Sequence, residues 1–278
     1  MGLGNNHLTT TTSAEFIPAV WINEVRAARE ANLVMAKRVK LINHKNKPGD
    51  TLNIPDVSAL TAQDKVAETE VSLQSPTETK FSVSINKWKH VAFLIEDMVK
   101  VQSATNLRKE YTDKAGFAVA KAVDSDLLAL YSSLTQSTGS SSIDIDEETV
   151  LEAKKQLDEA DAPRSDRTLL VAPSQEKSLL RIPRFTEADK IADSGKALKE
   201  GMLGRIHGFD VFVSTNIPVV GTTTKNIAFH KDAFVLATQS YPRVQAAYVL
   251  EYLGTLVVVD EIYGVSVFRN DHAVVINS

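Results

Sequence analysis

The residues able to do chemistry are few and scattered. The six histidines, His7, His44, His90, His207, His230 and His272, include no pair at i,i+2 or i,i+4, so no local metal motif is present. There is no cysteine. That removes thiolate nucleophiles, disulfides, zinc fingers and iron–sulfur clusters, and it fits a reducing compartment. The close acidic pairs Asp124/Asp126, Asp144/Asp146 and Glu147/Glu148 have the type for a divalent cation. Helix capping and a solvated surface account for them better. No Gly-x-Ser-x-Gly elbow, phosphate-binding loop or dinucleotide fingerprint occurs. "GMLGRIHG" (Gly201–Gly208) is spaced like a glycine-rich loop but does not follow a strand and open a helix. Its glycines serve tight turns, and His207 reads as part of a hairpin. The residues assign no catalytic group, cofactor or metal. A carboxylate pair assembled from distant parts of the chain stays open at this level.

Something other than local chemistry must therefore be positioned. The 278 residues suffice for one large domain or two ordinary ones, and 43% hydrophobic with 24% charged residues is a globular composition. A net charge of −4 gives no phosphate-neutralising surface. It is compatible with enclosing DNA without gripping it. No apolar run approaches the length of a membrane span. The start, MGLGNNHLTTTTSAEF, lacks the basic and apolar regions of a signal peptide. Asn6 stands where a myristoylation pattern after Gly2 wants Ser or Thr.

Residues 1–15 are polar and Thr-rich and read as an N-terminal arm. Phe16–Leu41 carries apolar residues at spacings of three and four, with Pro18 suited to a first turn, and predicts a helix. The turn signal "KPGD" (Lys47–Asp50) precedes an alternating strand, Thr51–Val57, which Pro55 restricts to an edge or a strand end. Residues 58–79 are mostly small, polar or charged. Lys80–Ile95 then alternates strongly through Phe81, Val83, Ile85, Val91, Phe93 and Ile95. The result is a two-stranded ribbon with a polar tip, and such a ribbon is marginal in water by itself. The simplest physical resolution is that it lies on a neighbouring copy. The candidate intersubunit residues are Phe81 and Trp88 at the base and Asp64, Lys65 and Glu68 at the tip; the bland alternative places Phe81 and Trp88 in an ordinary core.

Ser103 or Thr105 can cap a helix from Asn106 to Leu134, about 40 Å long. "TQSTGSSS" (Thr135–Ser142) is a loop and a domain boundary. Asp146 caps a helix to Ala160, with Glu147 and Glu148 in its first turn. "TLLVA" (Thr168–Ala172) reads as a buried strand and Pro173 as the opening of another helix. Residues 186–203 read as a loop, and Gly204–Pro218 as strand, turn at Gly208, strand. Further strands are expected near 226–230, 233–238, 243–252, 255–261, 264–269 and 273–276. The class is α+β.

The order of these pieces resembles the major capsid proteins of tailed bacteriophages, with the Hong Kong 97-type fold. "RTLLVAPSQEKSLLRIPRF" (Arg167–Phe185) followed by "KEGMLGRIHGFDVFVSTNIP" (Lys199–Pro218) is similar to the family's axial domain. Phe16–Lys40 looks like the segment after its N-terminal arm, Asn106–Leu134 like its spine helix, and Val257–Ile276 like its C-terminal strands. The resemblance implies an arm (1–15), a peripheral domain (16–42, 86–140 and 228–255, with spine helix 106–134), an extended loop (43–85) and an axial domain (141–227 and 256–278). It implies many copies in pentamers and hexamers, with extended loops overlapping neighbours and double-stranded DNA enclosed without sequence-specific binding. The virion is the location, with synthesis in the bacterial host cytoplasm and no membrane. About fifteen residues precede Phe16, so no fused scaffolding domain is expected; a scaffolding protein is expected as a separate chain, alongside a portal, unless this sequence is a processed form. No Lys–Asn crosslinking pair is identified; Lys45, Lys47, Lys65 and Lys80 read as solvated. The function expected is a non-enzymatic capsid shell protein without cofactors. The alternatives are an encapsulin-like nanocompartment shell holding an enzyme cargo and, more remotely, an α+β enzyme with a long lid. A fibre or adhesin is disfavoured by the long helix and the lack of repeats.

Overall fold

In the computed structural model of the chain, residues 24–29, 33–44, 49–57, 60–65, 67–68, 70–71, 73–75, 78–97, 107–182 and 202–278 are described. The expected arm, the start of the first helix with Pro18, the cap at Ser103 or Thr105 and nearly all of the loop at 186–203 lie outside them.

Two sheets carry the fold. In the first, β1 (Lys40–Asn43), β11 (Phe234–Val249), β12 (Gly254–Val267) and β4 (Lys87–Glu96) stand in the order β1-β11-β12-β4. β1 runs parallel to β11, and the other neighbours are antiparallel. The second sheet has seven strands. Its path is β5 (Gln136–Gly139), β13 (Ala273–Asn277), β10 (Thr223–His230), β6 (Arg167–Val171), β8 (Phe209–Val213) and β7 (Met202–Ile206); β9 (Val219–Val220) pairs with β10. A third, two-stranded unit is the ribbon β2 (Thr51–Val57) and β3 (Glu78–Ser84).

The seven-stranded sheet is covered on both faces, which explains why β6 is buried at all five positions, the polar Arg167 and Thr168 included. Leu169, Val171, Phe209, Val211, Ala228, Val274 and Ile276 face α2 (Glu147–Glu159) and α3 (Pro173–Leu179). The alternate residues Leu170, Phe212, Ile227 and Phe229 face the long helix α1 (Leu107–Leu128) and the turn at 33–39. The helix ends agree with the local chemistry. Asp146 accepts from Thr149 N at 2.8 Å, and Pro173 opens α3, where its missing N–H costs nothing.

Four expectations need correction. The predicted helix 16–41 stops early: residues 24–29 are helical, 34–39 form turns, and 40–43 are strand. The cause is tertiary, because the buried Asp124 carboxylate on α1 accepts from Val34 N at 2.7 Å and Ala36 N at 3.0 Å. The long helix is α-helical over 107–128, about 33 Å, and tightens into a 3-10 turn over Ala129–Ser133. The strands expected at 233–238 and 243–252 are one strand, β11, whose register shifts between Thr238 and Arg243. Pro242, which has no N–H for the ladder, sits in that irregularity. The strands expected at 255–261 and 264–269 are likewise one, β12. It belongs to the four-stranded sheet, so residues 256–267 stand beside β4 and β11 rather than with the seven-stranded unit.

Gly264, mid-strand in β12, is explained by the ribbon. A Cβ there would lie 2.3 Å from Ser84 O and 3.0 Å from Ile85 Cα. The ribbon's base crosses β12 backbone to backbone, and only glycine leaves room.

Candidate intersubunit site

The ribbon is built by alternation. Leu52 pairs with Val83 and Ile54 with Phe81, placing four apolar residues on one face. Thr51, Asn53 and Pro55 oppose Ser84, Ser82 and Lys80 on the other, where Ser82 Oγ donates to Asn53 Oδ1 at 2.7 Å. The apolar face packs with Val235, Ala237, Ile42, Ile262 and Phe268 of the main body. The base is pinned further by Ile85 N donating to Asp50 O at 2.7 Å and Gln239 Nε2 to Gly49 O at 3.1 Å. So the ribbon shares the body's core at its base.

Its tip does not. Leu60, Val71 and Leu73 are exposed, Leu73 by 94%. The Gln74 side chain closes the tip by accepting from Thr61 N and donating to Thr61 O. Asp64, Lys65 and Glu68 are all exposed here, with Glu68 in the left-handed region at φ 62°. The five candidate residues thus fall in three places. The charged trio is at the tip. Phe81 is half-buried on the base, edge-on to Phe268 at 5.1 Å. Trp88 is not on the ribbon: it lies in β4, 69% exposed, its indole donating to Asp260 Oδ2 at 3.0 Å. Lys80–Ile95, expected as one strand, is two strands of different sheets.

Trp88 stands on the face of the four-stranded sheet away from α1, with His90, Ala92, Leu256, Val258 and Ile262 by register. Arg243 also ion-pairs with Asp260, and together with the Trp88 hydrogen bond it outweighs partial burial and holds that carboxyl below the usual range. A rigidly held, exposed tryptophan has the character of an interface anchor. A second exposed apolar group is the β11–β12 hairpin tip, with Tyr248, Leu250, Tyr252 and Leu253.

On the opposite face sequence reasoning missed a buried polar set. Arg29 donates through Nε and Nη2 to both carboxylate oxygens of Glu261, and both side chains are buried. Burial pushes the Glu261 carboxyl up to about 7 against the pull of Arg29. Burial likewise raises Asp124 despite its backbone donors. Tyr263 OH donates to Asp126 Oδ2 at 2.8 Å, with Lys89 3.4 Å from the same oxygen. The available signal was parity: Glu261 shares the inward phase of Val257, Val259 and Tyr263. These groups lock elements together. Among the described residues no group of three or more His, Cys, Asp or Glu is placed to hold a metal, and no helix is long and apolar enough to cross a membrane.

The phage capsid protein family matches residues 37–277 of this chain. No curated protein matches it. Among solved structures, that of Mycobacterium phage Che8 is 24% identical with a TM-score of 0.69, over 88% of this chain and 90% of that one. The capsid of Ralstonia phage GP4 is 12% identical with a TM-score of 0.69, over 90% of each chain. The virus-like particle from Pyrococcus furiosus is 14% identical with a TM-score of 0.63, over 94% of this chain and 99% of that one. At these identities the likeness is one of fold.

Proposed function

The chain belongs to the phage capsid protein family, and we propose that it closes the shell of a tailed phage by laying its ribbon on a neighbouring copy. It is a major capsid protein with the α+β, Hong Kong 97-type fold, a structural protein of the virion that assembles from many copies of itself. The observation that carries the clasp is the ribbon's division: an apolar base seated on the chain's own core, and a tip whose described residues include the exposed Leu60, Val71 and Leu73 and none of the buried core. Ordering such a tip on a second copy buries those residues, and closure of the shell couples many modest contacts. Asp64, Lys65 and Glu68 at the tip, and Trp88 on the sheet, are the contact residues of this reading, with Phe81 fixing the ribbon's angle.

In this reading the four-stranded sheet with α1 is the peripheral domain. The seven-stranded sheet with α2 and α3 is the axial domain, gathered around five-fold and six-fold axes, and the boundary lies after Val267. The shell encloses double-stranded DNA without sequence-specific contacts, in line with the net charge of −4. A separate scaffolding protein and a portal complete assembly in the host cytoplasm, and the chain has no catalytic role.

Negative-stain microscopy and sedimentation of the purified chain, alone and with the neighbouring phage genes, test this. Closed shells or rings of five and six are expected, and deleting residues 60–75 abolishes them while leaving a folded subunit. Absence of any shell in both preparations overturns the assembly reading. Shells that persist after the deletion overturn the clasp alone.

A further inference from the structure

The chain passes from one sheet to the other twice through single 3-10 turns. Lys231–Ala233 leads from β10 into β11, and Asn270–His272 leads from β12 back into β13. The two turns lie side by side. Phe268 N donates to Ala233 O at 2.8 Å, and Arg269 N donates to the same oxygen at 3.2 Å. Each crossing carries a buried histidine, and the rings of His230 and His272 meet edge-on with centroids 5.8 Å apart. We propose that His230 makes these crossings a proton-operated hinge: neutral, it accepts from Asp232 N and packs against the His272 ring; protonated, it loses that bond and loosens the two turns from each other. The hinge is a property of the single chain and does not depend on the capsid reading.

The hydrogen bonding favours a neutral His230. His230 Nδ1 accepts from Asp232 N at 3.2 Å, so its proton resides on Nε2. A second proton on Nδ1 turns that acceptor into a donor and breaks the bond. His272 Nδ1 is buried without a hydrogen-bond partner, while its Nε2 is 4.0 Å from Asp271 Oδ2.

The surrounding charges divide. Beneath the pair lies the buried Arg167 guanidinium, held by the carbonyls of Pro163 and Ala162 and by Asp158. Lys231 and Arg269 stand on the two crossings themselves. Asp232 is 3.8 Å from His230 Nδ1 but is half-exposed and shared with Lys40. Asp166, on the loop before β6, accepts from Lys231 N through its backbone carbonyl, and its carboxylate adds negative charge from that side. Lys37 lines the open cleft of about 600 Å³ beside His230. Burial outweighs the two aspartates, with His272 and Arg167 acting in the same direction, and holds His230 below its ordinary 6.5.

The consequence follows from linkage. A histidine whose pKa is depressed in the closed state binds protons more readily once the crossing opens. The latch is therefore fully effective above the ordinary pKa. Below it, opening grows by up to tenfold per pH unit until the closed His230 itself titrates.

Hydrogen–deuterium exchange of the purified chain between pH 7.5 and 5.0, corrected for intrinsic rates, reads this directly. The expected result is protection of the Phe268 and Arg269 amides that falls by up to tenfold per pH unit below 6.5, while the amides of α2 stay level. His272→Gln reduces the slope, and the double variant His230→Asn/His272→Gln flattens it. A flat wild-type profile overturns the proposal. So does a slope that survives in the double variant. If the double variant does not fold, the wild-type profile and His272→Gln decide: an unchanged slope in the single variant overturns the pair.

Discussion

Replacing Gly264 with alanine adds one carbon at the point where the ribbon crosses β12. That carbon would sit 2.3 Å from Ser84 O and 3.0 Å from Ile85 Cα, and both neighbours are backbone. Ordinary contact for a carbon is about 3.5–4.0 Å. The ribbon's base must therefore lift by more than 1 Å or β12 must bend. Either motion pulls Val83 and Ile85 from contact with Val235 and Ala237. Overpacking of this kind costs about 1–3 kcal/mol, and the better strand preference of alanine returns about 0.5–1 kcal/mol. The expected net loss is about 1.5 kcal/mol. With an m-value of about 3 kcal/mol/M the urea midpoint falls by about 0.5 M. Gly221→Ala is a suitable control, since a Cβ at Gly221 meets nothing and its only strain is the positive φ of 63°. The second readout is assembly, because a lifted base re-aims the tip. Gly264→Ala subunits should sediment as folded monomers or small oligomers under conditions where the parent chain forms shells. A variant with unchanged midpoint and normal shells would refute the backbone-on-backbone crossing as the device that aims the ribbon.

The outcomes for four other variants follow from the same geometry. Trp88→Ala should cost less than about 1 kcal/mol in urea unfolding, because the side chain is 69% exposed and Asp260 keeps Arg243. Under the contact role proposed for Trp88, the substitution should still weaken assembly about thirty-fold, measured as the critical concentration for shells. Arg29→Met strands the Glu261 carboxylate in a buried site and should cost about 3–5 kcal/mol at pH 8. Glu261 has its folded pKa raised from 4.5 to about 7, so its contribution is fully present below 4.5 and is lost as pH rises toward 7. The span is up to about 3 kcal/mol, and Glu261→Gln should flatten that part of a stability-against-pH curve. Asp124→Asn keeps one acceptor for the two amides of Val34 and Ala36 and should cost about 1–3 kcal/mol, read by urea unfolding and by faster exchange of those amides.

Local chemistry settled many elements in advance. The Asp146 cap, the Pro173 start of α3, the buried β6 and the β7–β8 hairpin at His207–Gly208 all depend on neighbours within a few residues, and these are visible in the chain itself. The ribbon was legible for the same reason, as two alternating stretches with a polar interval between them. What the sequence withheld was decided by partners far away. Residues 33–39 have helical spacing, yet the Asp124 carboxylate from α1 takes two of their amides and turns the chain into β1. Lys80–Ile95 keeps one alternation phase through Asn86, so nothing local marks where the ribbon ends and β4 begins; pairing with β2 on one side and β12 on the other makes that break. Gly264 looks like a strand end until the ribbon is laid across it. Alternation records which face of a strand is buried, and capping residues record where a helix starts. Neither records which distant backbone supplies the burial, so strand partnership, the division between the sheets and the meeting of His230 with His272 belong to the tertiary structure alone.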